Sequence, residues 1–248
     1  MPETGNPRPI VLNVGVTGHR AGAFTAPLVR TLRPTVYTVF RQLRDATLRL
    51  QQAEDAFCSA TAAELRLLSP LATGADQIAA ICARSSGYFV RALLPFEASE
   101  YRKDFALGEE LDGFEQALAA ADEIVALPGD RTDLEGAYVI VGQSLVETAD
   151  LMIAIWDGEQ GRGPGGTADV VELALQSSVP VIHLDIDRGS DKVRVRALID
   201  GDAAAAFGTS LKDSDLYVRV LRGAFKLAPL VTSPAAGTEY RLASGPPV

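Results

Sequence analysis

The sequence is poor in the residues from which metal centres and covalent scaffolds are built. Its 248 residues include two cysteines, two histidines and one tryptophan. Cys58 and Cys82 lie in apolar surroundings without ligand spacing and are too few for a disulfide framework, so they read as reduced core residues. With His19 and His183 as the only imidazoles, no metal site is expected. No apolar run reaches the roughly 18 residues that a membrane span needs. The N-terminus, MPETGNPRPI, lacks the basic and apolar regions of a signal peptide. A soluble, cytoplasmic chain with no membrane contact is the expectation. Basic charge is also short: 23 Lys and Arg stand against 32 Asp and Glu, a net charge of −9. Nucleic-acid binders usually carry a basic footprint, so no nucleic-acid partner is expected. Small phosphate ligands remain open, because backbone dipoles bind them locally whatever the global charge. Neither a Walker-type GK[ST] nor a dinucleotide G-x-G-x-x-G fingerprint is present.

What is present is an alternation of apolar runs and helical patterns. Ile10–Val16, Leu65–Leu68, Phe89–Leu94, Glu123–Leu127, Leu151–Trp156 and Val179–Leu184 read as strands. Between them lie helical stretches, among them Val36 to Leu50, a segment entered at Thr73–Asp76, one around Glu110–Ala121, one after a Thr132/Glu135 capping pair, and Thr167–Ser177. Pro34 suits only the start of its helix, and Phe96–Phe105 reads as a loop over a site. This order predicts an α/β fold: a doubly wound, mostly parallel sheet, Rossmann-like, in three α/β/α layers. Residues 1–9 read as a disordered lead, 10–187 as the domain, and 188–248 as a short C-terminal extension or linker, in which Leu216–Leu227 is helix-like.

The stretch Ala149–Gln176 carries the most chemistry. A buried strand stops at Asp157-Gly158, passes glycines 161, 163, 165 and 166, and enters a helix at Thr167. Unpaired N–H groups and the helix dipole make such a helix start an anion site. Thr167 suits the N-cap, and Gly163–Thr167 reads as a phosphate cradle. Two further glycine loops follow strands: Gly15-Val-Thr17-Gly18-His19-Arg20 and Thr73-Gly74-Ala-Asp76. In a doubly wound sheet all three meet outside the carboxyl ends of the strands, and glycine lets backbone approach a ligand closely. Arg20 suits a phosphate, and His19 a phosphate, a base or closure of its own turn. Asp76 and Asp157 suit ribose hydroxyls or helix and turn capping; Trp156 suits a base or the core. Glu97, Glu100 and Tyr101 line an entrance or an exposed loop, and His183 reads as a core residue.

Taken together, Gly15-Val-Thr-Gly-His-Arg20, Ala72-Thr-Gly-Ala-Asp76, Leu94-Pro-Phe96 with Tyr101 and Asp104-Phe105, and Asp150…Trp156-Asp-Gly158…Gly165-Gly-Thr-Ala-Asp-Val170 resemble the SLOG superfamily over residues 10 to 187. That group includes cytokinin-activating phosphoribohydrolases and DNA-processing protein A. The resemblance implies a Rossmannoid domain for nucleotides or nucleotide-derived ligands, a design used in sensor modules of bacterial defence or stress systems, often beside an effector. Its enzymes carry P-G-G-x-G-T-x-x-E with a catalytic glutamate; here that position holds Val170, with Asp169 one residue early and Glu172 two late. The arginine motif of those hydrolases is also absent. The expectation is therefore a sensor for a nucleotide or an NAD- or ADP-ribose-like ligand, oligomeric and with no required cofactor. The alternative is a nucleoside 5′-monophosphate phosphoribohydrolase, an N-glycosidase, using Asp169, Glu172 or Asp157.

Overall fold

The structure, a computed structural model, describes residues 9–53, 62–159, 164–199, 202–206 and 214–226. The readings of the lead before residue 9, of Cys58, Gly161 and Gly163, and of the tail after residue 226 fall outside them.

Two apolar runs form the centre of the sheet. Strands β1 (Val11–Gly18) and β5 (Leu151–Trp156) pair in parallel, with Val14 opposite Leu151 and Gly18 opposite Ile155. Outward from β1 lie β2 (Glu64–Ser69), β3 (Phe89–Leu94) and β4 (Glu123–Ala126), and outward from β5 lies β6 (Val181–Asp187). All of these pairings are parallel. Chain order reverses between β1 and β5, the switch point at which α/β sheets open a crevice. The fold is thus the expected α/β, Rossmann-like one.

Side chains alternate across the sheet, so each strand feeds two cores. Leu151, Ile153 and Ile155 of β5 point into the larger one, which helices α1 (Ala26–Ala53), α2 (Ala75–Ser85) and α4 (Glu109–Ala120) complete. A four-residue helix, α3 (Ala98–Tyr101), and a 3-10 turn at Arg102–Asp104 replace the loop expected there. Met152 and Ala154 point the other way, into a smaller core closed by α5 (Leu134–Thr148) and α6 (Thr167–Gln176).

Pro34 lies inside α1 instead of starting it. A helix-interior proline costs about 3 kcal/mol, but starting the helix at Pro34 would expose Leu28 and Leu32, both fully buried. Each such burial contributes about 1.5–3 kcal/mol, so packing wins. Helix α5 is capped by Asp133, whose carboxylate accepts from Gly136 N at 2.9 Å, and not by Thr132.

The sheet does not end at residue 187. Strands β7 (Lys192–Ile199) and β8 (Asp202–Ala206) continue it antiparallel to β6, giving eight strands among the described residues. Helix α7 (Ser214–Ala224) returns Tyr217, Val220 and Leu221 to the larger core beside α1. Residues 188–199 and 217–221 therefore belong to the same packed body as the strands before them. No helix among the described residues is long and apolar enough to cross a membrane.

Candidate functional site

The carboxyl ends of β1, β2 and β5 bring the three glycine loops together. His19 N donates to Ile155 O at 3.0 Å, and Ala75 N donates to His19 O at 3.0 Å. Gly74, at φ +94, lies so close to this loop that a Cβ there would stand 2.5 Å from Ala21 N and 2.7 Å from His19 O. A Cβ on Gly18 would meet Ala75 Cβ at 2.5 Å and Ile155 O at 2.6 Å. These glycines therefore serve close packing between the loops. Gly15 and Thr17 sit within β1, because the strand runs to Gly18 and not to Val16 as expected; Thr17 is buried.

At the switch point His19 Nε2 lies 2.9 Å from Asp157 Oδ1. The guanidinium of Arg188 contacts Asp157 Oδ2 and lies 3.0 Å from the same His19 nitrogen. Partial burial disfavours the Asp157 charge, but the His19 and Glu159 N–H bonds and the Arg188 charge outweigh it, and its carboxyl is held below the usual range. On the other side of β1, Arg20 lies over the Tyr138 ring with its carbon 5.7 Å from the centroid and donates to the Tyr138 hydroxyl at 3.4 Å. Tyr138 in turn donates to Asp104, which is paired with Arg131. Burial opposes the Arg20 charge, yet the bond to Tyr138 and the nearby Asp76 raise its pKa overall.

Asp76 opens α2 and is buried. Burial pushes its carboxyl up to about 7 against the pull of the Ala72 N–H, which donates at 3.2 Å, and of Arg20. Thr73 beside it is buried as well. Tyr101 is not an entrance residue: it is 1% exposed and packs edge-on against Phe105 and Phe114, and that desolvation raises its phenol. Glu97 is exposed, and Glu100 pairs with Lys103 at 2.7 Å.

The helix after β5 starts at Thr167 as expected, but its N-cap lies one residue earlier than the Thr167 cap read from the sequence. Gly166 is the N-cap of α6, with no side-chain cap, and Thr167 is the first helical residue. The preceding Gly165, at φ +76, packs on α5, where a Cβ would stand 3.2 Å from Tyr138 Cβ. Gly165 packs against the backbone end of Tyr138 and Arg20 against its hydroxyl, so the length of one tyrosine side chain separates the guanidinium from the start of α6. Gly158 follows Asp157 at φ +82 and faces open space. Asp169 accepts from Gly165 N at 3.0 Å. Glu172 is exposed and accepts from Gln176 at 3.0 Å. Val170, at the position of the family glutamate, is buried in the smaller core. The three carboxylates considered for hydrolysis are therefore spread over three local roles and do not converge.

Trp156 donates from its indole to Glu159 O at 2.8 Å, and its ring centroid lies 5.4 Å from that of His183. His183 is buried, with Nε2 2.9 Å from Trp156 O; burial lowers its pKa. Cys82 is buried too, its thiol pushed up to about 11 by desolvation.

Sequence reasoning missed Tyr138, Arg131 and Arg188 as site neighbours. Arg188 had a signal, since it follows a strand next to β5, but the expected end of that strand at Leu184 hid it; β6 runs to Asp187. Tyr138 lies mid-helix, and nothing in its spacing marks it.

The motifs of the sequence therefore occupy the switch point of a doubly wound sheet. The chain has a Rossmann-like α/β fold. It matches no protein-family profile and no curated protein. Solved structures similar to it include DNA processing protein A from Streptococcus pneumoniae, at 16% identity and TM-score 0.44, with 70% of this chain and 50% of that one covered. A second is DNA processing protein A from Helicobacter pylori, at 17% identity and TM-score 0.44, with 69% and 64% covered. A third is the molybdenum cofactor carrier protein from Chlamydomonas reinhardtii, at 16% identity and TM-score 0.38, with 72% and 79% covered. This chain thus spans less than two thirds of either DNA processing protein. At such identities the likeness is one of fold.

One expectation is corrected by these neighbours. The acidic composition argued against a nucleic-acid partner, yet the Helicobacter pylori protein has a single-stranded DNA binding mode. Net charge sums the whole surface, whereas phosphate contact needs only a local set of cations. The exclusion of nucleic acid therefore does not stand.

Proposed function

We propose that this chain binds a nucleotide or nucleotide-derived ligand at the β1–β5 switch point and holds it without cleaving it, as the recognition half of a sensor. The observation that carries the reading is the placing of Arg20 and Gly165 against opposite ends of the Tyr138 side chain, which leaves a gap one tyrosine long between a guanidinium and the start of α6. It supports a 5′-phosphate set between the α6 N-terminus and Arg20, because unpaired helical N–H groups and a guanidinium both favour an anion. Asp157, just past the end of β5, supplies an acceptor for a ribose hydroxyl, whereas Asp76 is buried and serves the packing of its own loop. A binding role is favoured over hydrolysis because glycosidic cleavage needs an acid or base at the reacting centre. Asp169 is engaged with the glycine loop, Asp157 with His19 and Arg188, and Glu172 with Gln176.

The test is thermal stability against a panel of nucleoside mono- and diphosphates, NAD, ADP-ribose, cyclic nucleotides and a short single-stranded oligonucleotide, each mixture then separated by HPLC. A specific stabilisation with ligand recovered intact is expected. Release of free base would replace the sensor reading with the hydrolase one, and the absence of any shift would refute both.

A further inference from the structure

Arg188 is left over from the site just described. It sits on the turn between β6 and β7, whose backbone is fixed: Asp187 accepts from Gly189 N at 2.9 Å, Ser190 N at 3.2 Å and Ser190 Oγ at 2.6 Å. The turn is also tied to the start of α1, where Thr25 Oγ1 donates to Asp191 at 2.6 Å. From this anchored backbone the side chain, 43% exposed, reaches back to Asp157 and His19.

That contact cannot be fully satisfied. His19 Nε2 lies within hydrogen-bond distance of both Asp157 Oδ1 and Arg188 Nη2. One imidazole nitrogen either donates to the carboxylate or accepts from the guanidinium, and if the ring is protonated, two cations face one carboxylate. Arg188 is therefore held by Asp157 and opposed or shared at His19, an arrangement readily exchanged for a better anion.

The surroundings leave room for one. A cavity of about 350 Å³ opens beside Asp157 and Arg188, reaching Asp185, Asp187 and Arg194. Of the four carboxylates that line it, three are engaged: Asp185 with Arg194 and Arg196 at 3.2 and 3.0 Å, Asp187 within its own turn, and Asp157 with His19 and Arg188, while Glu159 is exposed. Once a ribose hydroxyl takes Asp157, the Arg188 guanidinium is the charge without a partner. Arg20 lies across β1, on the α5 side, and Arg188 on the β6 side, so the ribose position is flanked by two cations. An aspartate alone at a ribose favours free hydroxyls and repels a phosphate there, whereas an arginine beside it accommodates one.

We propose that Arg188 is a second anion point, and that the ligand is a ribonucleotide carrying a second phosphate on its ribose hydroxyls. This rests on the nucleotide reading above, with Arg20 serving the 5′-phosphate and Arg188 the ribose-linked one. A charge-assisted, two-pronged contact of this kind is worth about ten- to hundredfold in affinity.

Calorimetric titration of the full chain tests it. The probes are the adenosine and guanosine 5′-monophosphates and their 2′,5′- and 3′,5′-bisphosphates, titrated into the unchanged protein, Arg188→Ala, Arg188→Lys and Arg20→Ala. One bisphosphate is expected to bind the unchanged protein at least about tenfold tighter than its monophosphate. Arg188→Ala removes that preference, read as the ratio of bisphosphate to monophosphate affinity within the variant, and Arg188→Lys retains part of it. Arg20→Ala weakens both ligand types. A bisphosphate preference of one or less, or a preference that survives Arg188→Ala, overturns the inference while monophosphate binding and its dependence on Arg20 keep the nucleotide reading intact. Failure of every probe to bind the unchanged protein overturns both.

Discussion

Two glycines with nearly the same backbone conformation give an internal control on how tightly the loops pack. Gly74 (φ 94°, ψ −115°) and Gly108 (φ 94°, ψ −132°) each precede a helix as its N-cap. An L-residue is strained at either position, by about 1–3 kcal/mol. The gain from reduced freedom of the unfolded chain, about 0.4–1 kcal/mol, is also common to both. The surroundings differ. A Cβ at Gly108 meets nothing within 4 Å, whereas at Gly74 it meets Ala21 N at 2.5 Å, the Arg20 carbonyl carbon at 2.6 Å and His19 O at 2.7 Å. These are backbone atoms and cannot rotate aside, so relief requires moving the His19–Ala21 segment, at about 1–3 kcal/mol beyond the shared strain. Gly74→Ala is therefore expected to fall about 2 kcal/mol below Gly108→Ala in urea unfolding, or about 4–8 °C in Tm for a domain of this size. It also displaces His19 and Arg20, so phosphate-ligand binding weakens in Gly74→Ala and not in Gly108→Ala. Equal losses in the two variants would refute the close packing of these loops, and with it the geometry of the site.

Asp76→Asn tests the buried carboxyl. With the folded-state value pushed up to about 7 and an unfolded value near 3.9, the folded protein binds more protons between those limits. Stability then falls as pH rises from about 4 to about 7, by up to about 4 kcal/mol, and levels off above. Asp76→Asn should flatten that fall and exceed the unchanged protein in Tm at pH 8; a parallel pH profile would contradict the buried position. Glu172→Gln is expected to leave ligand affinity within about twofold in the same titrations, since removing an exposed charge away from a site changes little; a tenfold loss would restore this glutamate to the site. Val195→Ala, in the sheet beyond the expected domain end, should cost about 1–3 kcal/mol by urea unfolding, because Val195 is buried in the larger core. A neutral outcome would return residues 188–199 to the status of an appendage.

Much of the sheet was legible because its central strands are buried on both faces. Leu151–Trp156 has the boundaries read from the sequence, since a continuous apolar run bounded by turn residues leaves little else, and Phe89–Leu94 keeps its boundaries too although Arg91 interrupts it. The failures have local causes. Lys192–Ile199 alternates charged and apolar residues, the period-2 signature of a half-buried strand, but it follows a turn-rich Asp-Arg-Gly-Ser segment that reads as the end of the domain. Its Arg194 and Arg196 meet Asp185 across the strand pair, a contact that exists only once the register is known. Pro34 misled because a local rule about helix starts gave way to the burial of Leu28 and Leu32. At the site, the meeting of the three loops followed from strand order, which sequence alternation conveys. The pairing of Arg20 with Tyr138, 118 residues apart, is tertiary, and no periodicity encodes it. The same holds for Arg188 and Asp157.

The most direct measurement is calorimetric titration of nucleoside 5′-monophosphates into the unchanged protein and Arg20→Ala, with the ligand recovered by HPLC afterwards. The account predicts saturable binding of at least one nucleotide, about tenfold weaker or more in the variant, with the ligand intact. Binding that is indifferent to Arg20, or none at all, would contradict a phosphate site between Arg20 and the start of α6.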